Sequence, residues 1–153
     1  MSQRSTQHAA FTLERSYPAA PDRVFAAWAN VDAKARWFTG PPGEWKVLKR
    51  ELEFRIGGRE HVSGAWAGGK VSRFDARYFD IVPNARIVYA YEMHIDDTRI
   101  SVSLATVEFE PAGSGTRLRV TEQGAFLDGY DDAGSREQGT QALLERLGAS
   151  LRA

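Results

Sequence analysis

The sequence contains no cysteine, so disulfide bonds, thiolate metal sites and cysteine nucleophiles are excluded. It also lacks a net charge, because 20 Lys and Arg residues balance 20 Asp and Glu residues. Without a positive field, we expect neither nucleic acid nor an anionic membrane among its partners. No apolar run has membrane-spanning length, and the polar start MSQRSTQHAA is unlike a signal peptide. We therefore expect a cytoplasmic protein without membrane insertion.

The motifs that mark common catalytic sites are missing as well. There is no G-x-S-x-G nucleophile elbow, no complete phosphate-binding G-x-x-x-x-G-K-[ST] loop and no G-x-G-x-x-G fingerprint. The glycine pairs in IGGRE and AGGK are typical of hairpin turns instead. We expect no cofactor, no metal and no dedicated catalytic residue.

Aromatic side chains, by contrast, are abundant. Four Trp, five Tyr and eight Phe occur among 153 residues. A chain of this length suits one domain, which buries roughly 70% of the surface that the unfolded chain exposes. We expect a loosely held or disordered tail over 1–9 and a single domain over 10–153, with a core large enough to contain a cavity.

The first part of the chain predicts one strand followed by two short helices. FTLERSY (11–17) alternates apolar and polar residues with the period of a half-buried strand. Pro21 suits the first turn of a helix. Asp32 is placed to cap a second short helix, DAKARWF, which is expected to end at Gly40.

The remainder predicts a series of strands and a final helix. Turn signals separate segments that we predict as strands over 46–56, 59–66, 71–82, 86–95, 99–110 and 116–123. Connections this short favour antiparallel neighbours. Leucines at 143, 144, 147 and 151 form the apolar stripe of one long helix over 133–151. This order indicates an α+β fold, in which a curved antiparallel sheet of six to seven strands wraps the C-terminal helix.

Four stretches also show a family resemblance: PAAPDRVFAAWANVDAKARWF (18–38), LEFRIGGRE (52–60), FDIVPNARIVYAYEM (79–93) and GTRLRVTEQGAFLDGYDDAGSREQGTQALLERL (115–147). They are similar to the Hsp90 ATPase activator homologue-like family, and the element order resembles the helix-grip fold of the START-like (SRPBCC) superfamily. The resemblance implies a cavity between sheet and helix, and a chaperone as partner. Because the first strand is predicted near residue 10, we expect no N-terminal domain of the kind that the eukaryotic co-chaperones carry. Many relatives have tryptophan where this chain has Thr140.

Aromatic and apolar side chains are concentrated where such a cavity would lie. On the strand 86–95, Tyr89, Tyr91 and Met93 share one face, which we expect to look toward the long helix. We expect the loops 38–45 and 124–132 to act as lids. The candidate ligand-binding residues are Trp37, Phe38, Trp45, His61, Trp66, Tyr89, Tyr91, Met93, Phe126, Leu127, Tyr130, Gly139 and Leu143. The alternative is that these rings simply pack a solid core.

Gly139 lies on the inward stripe of the final helix, four residues before Leu143. Glycine inside a helix costs roughly 1 kcal/mol relative to alanine, so its presence needs a structural reason. Close packing of the backbone on the sheet is one reason, and space for a ligand is the other. The sequence does not separate the two.

Three carboxylates, Asp128, Asp131 and Asp132, precede the final helix. Their spacing fails the calcium-loop pattern, which needs a bidentate Glu at its twelfth position. We interpret them as a turn and a helix cap, because Asp131 or Asp132 can accept from unpaired amides of the first turn.

Histidines and strand arginines are weaker candidates. His61 and His94 have no partner at metal-ligand spacing, and His8 lies in the tail. The strand arginines are expected on the solvated face, although one of them facing inward would bind an anionic ligand group. They are Arg55, Arg73, Arg77 and Arg99.

These patterns favour non-catalytic binding of a small hydrophobic or aromatic molecule, such as a lipid, polyketide or flavonoid, by a monomer or weak homodimer. The alternative is a cyclase or dehydratase on the same scaffold, in which polar cavity groups move protons. Its candidate residues are His61, Tyr89, Tyr91 and Glu122. Inward-facing polar residues on several strands would favour the enzyme, and an unbroken apolar lining would favour the binding protein. A chaperone-interacting module is a third alternative, implied by the family name alone.

Overall fold

Seven antiparallel strands form one curved, open sheet, and a long C-terminal helix packs on its inner face. The computed structural model describes residues 4–152. The elements are β1 (Thr6–Tyr17), α1 (Pro21–Ala29), α2 (Val31–Ala35), β2 (Trp45–Leu52), β3 (Arg59–Trp66), β4 (Val71–Val82), β5 (Arg86–Ile95), β6 (Thr98–Ala112), β7 (Gly115–Leu127) and α3 (Ala133–Arg152). The predicted α+β helix-grip architecture is confirmed.

The sheet order is β1-β7-β6-β5-β4-β3-β2. Strands β2 to β6 each pair with the next strand in the chain, as the short turn segments predict. Two of the turns pass through a left-handed residue, Asn84 with φ 64° and Asp96 with φ 53°. Asn and Asp tolerate this conformation better than other non-glycine residues, which explains why they occupy these two turn positions. β1 pairs with β7, from Thr6 opposite Leu127 to Tyr17 opposite Thr116.

Several predicted strand boundaries are wrong, among them the start of β1, the end of β2 and the end of β7, which continues to Leu127 instead of residue 123. The expected tail over 1–9 is too long, because β1 begins at Thr6 and residues 6–9 pair with residues 124–127. Residues 1–3 lie outside the described part of the chain. β2 ends at Leu52 instead of residue 56, because the chain turns there and the Glu53 amide donates to Arg59 O at 2.8 Å.

The second helix also differs from the prediction. Asn30 is its cap, since Asn30 Oδ1 accepts from the Ala33 amide at 3.0 Å, and Asp32 lies inside the first turn. The helix ends at Ala35, and the Phe38 amide still donates to Lys34 O at 2.8 Å. The segment up to Gly40 is therefore turn rather than helix.

The core lies between the inner face of the sheet and the three helices. Leu118 and Val107 of the sheet, Val24 of α1 and Leu147 of α3 are all fully buried. Tyr17 ties the layers together, because its hydroxyl donates to Leu144 O at 2.8 Å. No helix within residues 4–152 is long and apolar enough to cross a membrane.

Candidate functional site

A cavity of about 450 Å³ lies between the inner face of the sheet and α3. The curvature of the sheet produces it, because a strongly twisted sheet cannot follow a straight helix along its whole length. Nine of the predicted residues line it: Trp37, Phe38, Trp45, Trp66, Tyr89, Tyr91, Met93, Gly139 and Leu143. The rings therefore leave a space instead of filling the core.

Four predicted residues lie elsewhere. His61 belongs to the outer face of the sheet, where its Nδ1 lies 2.7 Å from Asp75 Oδ1. Phe126 is buried beside Arg136 but does not line the cavity. Leu127 ends β7, and Tyr130 is 58% exposed. The expected lid over 124–132 is wrong in its first half, because β7 continues to Leu127 in its pairing with β1.

Trp45 forms a flat cavity wall that two glycines make possible. A Cβ on Gly64 would lie 1.9 Å from Trp45 Cε2, and a Cβ on Gly40 would lie 2.6 Å from Trp45 Cβ. Trp45 Nε1 donates to Ser72 Oγ at 3.1 Å. The indole is therefore held against bare backbone on one side and by a hydrogen bond at its edge.

The mouth of the cavity lies between α3 and the loop that follows α2. Gly139 is exposed and lines the cavity, and a Cβ added there would meet no atom within 4 Å. Close packing on the sheet is therefore excluded as the reason for this glycine, and open space remains. Arg146 Nη1 donates to Thr39 O at 2.8 Å, which ties the helix to the loop.

One part of the wall is polar, and its centre is Glu122, which is 5% exposed. Tyr91 donates its hydroxyl proton to Glu122 Oε1, and Thr140 Oγ1 lies 3.1 Å from Glu122 Oε2. Arg136 Nη1 donates to the Tyr91 hydroxyl at 3.1 Å. We call Tyr91, Glu122, Arg136 and Thr140 the polar corner. All four line the cavity.

Burial sets the protonation of the polar corner. It raises the pKa of the Glu122 carboxyl above the usual 4.5, against hydrogen bonds from Tyr91 and Thr140 and the charge of Arg136. Burial also raises the pKa of the hydroxyls of Tyr89 and Tyr91, and Glu122 adds to both shifts. Both tyrosines therefore stay protonated, and Tyr91 donates to Glu122.

Arg136 is a site residue that the sequence interpretation missed. Its Nη2 atom donates to Ser101 Oγ and to Asp131 Oδ2, each at 2.8 Å, and its side chain is 11% exposed. A signal was present, because Arg136, Thr140 and Leu143 share a helix face at spacings of four and three residues. A stripe defined only by its leucines leaves Arg136 out.

A second buried polar group lies behind the aromatic wall. Lys34 Nζ lies 2.7 Å from Glu60 Oε1, and Tyr78 donates to the same oxygen at 2.6 Å. The ammonium also lies 4.5 Å from the ring centre of Phe38 and 5.9 Å from that of Tyr89, both cavity residues. Burial lowers the pKa of Lys34, and Glu60 opposes the shift. Alternation along β3 predicts that Glu60 faces inward, because it lies two residues before the buried Val62 and therefore shares its face of the strand.

Two of the three aspartates before α3, Asp128 and Asp132, have structural roles, whereas Asp131 pairs with Arg136 and lines the cavity. Asp132 caps the helix, because its Oδ1 accepts from the Ser135 amide at 2.9 Å. Asp128 accepts from the Ser5 amide at 2.9 Å and from Arg4 Nη1 at 2.8 Å. These contacts hold the pKa of both carboxyls below the usual range. Across residues 4–152, no group of three His, Cys, Asp or Glu side chains is arranged to hold a metal ion.

None of the four candidate strand arginines lines the cavity. Arg55 pairs with Glu53 at 3.2 Å, and Arg99 pairs with Glu92 at 2.9 Å. Arg77 lies over the ring of Phe79 on the outer face. Arg73 is opposite His94 in the pairing of β4 with β5. The inward arginine belongs to the helix instead.

The chain is similar to a known protein family and to several solved structures. A family model described as "Activator of Hsp90 ATPase homolog 1-like protein" matches residues 18–152. A solved structure from Rhizobium leguminosarum is 48% identical, covers 99% of both chains and has a TM-score of 0.93. Among curated proteins, none matches the chain.

Two further solved structures support the relationship. A Rhizobium loti protein is 47% identical over 95% of this chain and 99% of its own, with a TM-score of 0.88. A Chromobacterium violaceum protein is 28% identical over 94% of this chain and 97% of its own, with a TM-score of 0.77. The similarity covers the whole helix-grip unit, including the strands and the helix that line the cavity.

Proposed function

The chain belongs to the Activator of Hsp90 ATPase homolog 1-like family, and we propose that it binds a small hydrophobic or aromatic molecule in the cavity between sheet and α3. The observation that supports this most strongly is the open space beside Gly139, at the mouth of an aromatic-lined cavity of about 450 Å³. Small-molecule sites are typically concave, about 300–1,000 Å³ in volume, and mostly apolar with a few placed polar groups. Contact with a chaperone has the family description as its only support.

Native mass spectrometry of the purified protein tests the proposal, followed by thermal unfolding with any molecule recovered. A ligand at about a hundred times its dissociation constant adds roughly 2.7 kcal/mol to the free energy of unfolding. Gly139→Trp should fill the mouth and abolish this stabilisation. Gln138→Trp is the matched control, because Gln138 is exposed on the same helix and does not line the cavity.

The proposal fails if the wild type shows no bound molecule and no stabilisation by lipids, flavonoids or aromatic polyketides. It also fails if both tryptophan variants bind as the wild type does, because the mouth would then be irrelevant.

The polar corner favours a second candidate, a cyclase or dehydratase. Glu122 is a buried carboxyl with a raised pKa in a cavity, which is the arrangement of many general acids and bases. Glu122→Gln separates the two functions. If the protein only binds, the ligand is chemically unaltered after incubation with either the wild type or Glu122→Gln. If the protein is an enzyme, the wild type converts a bound poly-keto chain, and Glu122→Gln binds the chain without converting it.

A further inference from the structure

We propose that the ligand is a flat aromatic molecule with a neutral hydroxyl group, and that Glu122 accepts the hydrogen bond from this hydroxyl. The inference rests on the proposed function and specifies the chemistry of its ligand. It depends on three properties of the site: unused acceptor capacity at Glu122, the charges around it and the shape of the walls.

Glu122 has more acceptor capacity than the protein fills. A carboxylate offers about four lone-pair sites, and within residues 4–152 its donors are the hydroxyls of Tyr91 and Thr140. The Thr140 hydroxyl has a single proton and also lies 3.0 Å from Arg136 O, so the two acceptors share it. At least two sites on a carboxylate that is 5% exposed therefore remain open to a further donor. Each oxygen already has one donor, so a ligand hydroxyl would add a further hydrogen bond to a buried carboxylate.

The surrounding charges select a neutral donor. An anionic ligand group near Arg136 would compete with Asp131, which is 2.8 Å from the guanidinium, and would also face Glu122. A cationic group would face Arg136 itself, whose guanidinium carbon lies 5.7 Å from the Tyr91 ring centre. A hydroxyl carries no net charge and can donate to the carboxylate without either conflict.

The walls select a flat body. The Trp45 indole is fixed against the backbone of Gly64, so one wall is planar and cannot rotate away. Phe74 and Tyr91 have ring centres 4.9 Å apart, and Phe38 packs edge-on to Phe74 at the same distance. Aromatic ligands gain from offset and edge-to-face contacts with such rings. Gly139 precedes Thr140, so the open space of the mouth lies next to a residue that bonds Glu122.

A matched pair of probes tests the hydroxyl directly. 2-Naphthol and 2-methoxynaphthalene have the same two rings, and only the first has a donor. Their dissociation constants are measured by calorimetry or tryptophan fluorescence on the wild type, Glu122→Gln, Glu108→Gln and Gly139→Trp. Glu108 is the control acid, because it lies on β6 with its side chain 45% exposed and does not line the cavity.

At a pH above the raised pKa of the Glu122 carboxyl, the wild type and Glu108→Gln should bind 2-naphthol about tenfold more tightly than 2-methoxynaphthalene, since hydrogen bonds to charged acceptors exceed those to neutral ones. In Glu122→Gln the ratio should fall to about threefold or less, because the amide is a weaker acceptor and can itself donate to the ether oxygen. Gly139→Trp should bind neither probe.

Equal affinity of the wild type for both probes overturns the inference, even if Glu122→Gln does not fold. An undiminished preference in folded Glu122→Gln overturns it as well. If neither probe binds to the wild type, the inference is wrong, whereas the proposed function is judged separately by the molecule recovered in native mass spectrometry.

Discussion

Lys34 Nζ lies 2.7 Å from Glu60 Oε1, and neither side chain is more than 2% exposed. Removing one partner of a buried pair leaves the other charge without compensation, which typically costs about 3–5 kcal/mol. We expect Lys34→Met to lower the free energy of unfolding by this amount. Lys34→Met with Glu60→Gln should recover most of the loss, because both charges are then gone and the amide oxygen still accepts from Tyr78. Urea unfolding of the four proteins in the double-mutant cycle measures the coupling.

The exposed pair of Lys49 and Glu51 is the control for this cycle. Their charged atoms are 3.0 Å apart, but both side chains are 62% exposed. Lys49→Met should change stability by no more than about 1 kcal/mol, as is usual for surface ion pairs. A double variant at 34 and 60 as unstable as Lys34→Met would contradict the argument.

Two glycines of α3 should respond differently to alanine. Gly139→Ala should raise the free energy of unfolding by about 1 kcal/mol, because the new methyl group meets nothing within 4 Å and helix propensity improves. In Gly148→Ala the methyl group would lie 3.1 Å from Tyr17 Cε1, and the hydrogen bond from Tyr17 to Leu144 O holds that ring in place. The gain in the free energy of unfolding should therefore be smaller for Gly148→Ala than for Gly139→Ala, or negative. Equal gains in chemical denaturation would refute the distinction.

Gly64→Ala should displace the Trp45 indole. The added carbon would lie 1.9 Å from Trp45 Cε2, so the ring must move and lose its hydrogen bond to Ser72. Forcing extra carbon into a packed site typically costs about 1–3 kcal/mol. Near-ultraviolet circular dichroism reports the loss of tryptophan ordering. Gly68→Ala is the control, because a Cβ there meets no atom within 4 Å. It should leave both the near-ultraviolet circular dichroism and the free energy of unfolding unchanged.

Glu122 should make stability fall as pH rises. Burial raises the pKa of the folded carboxyl above the usual 4.5, so the folded state binds more protons than the unfolded state between the two values. Stability then decreases with increasing pH across that interval, which begins near pH 4.5. Glu122→Gln lacks this titration. The difference in unfolding free energy, wild type minus variant, should decline from pH 4.5 upward, and a constant difference would disprove the assignment.

The strands and their faces were predictable because side chains alternate along a strand. The alternation in β5 places Tyr89, Tyr91 and Met93 on one face, and all three line the cavity. The predicted bounds of β3, β4 and β5 agree with the structure, since each is flanked by glycine, proline, asparagine or aspartate turns. These signals are local and require no knowledge of distant contacts.

The polar parts of the site depend on contacts between distant residues. Arg136 is 35 residues from Ser101 and 45 from Tyr91, and no local pattern brings them together. Lys34 and Glu60 likewise meet across 26 residues. His61 is a different case, because alternation with its buried neighbours Glu60 and Val62 already places it on the outer face. Contacts between distant residues therefore limit prediction more than the strands themselves.

The pairing of β1 with β7 affects the order in which the protein can form during synthesis. Residues 6–17 leave the ribosome before their partners at 116–127, which are made about a hundred residues later. Until then β1 presents an unpaired strand edge, which is open to association with other chains. Glu122 belongs to β7, and Arg136 and Thr140 belong to α3. The polar corner therefore assembles late, and a nascent chain cannot hold a ligand there before β7 and α3 have been made.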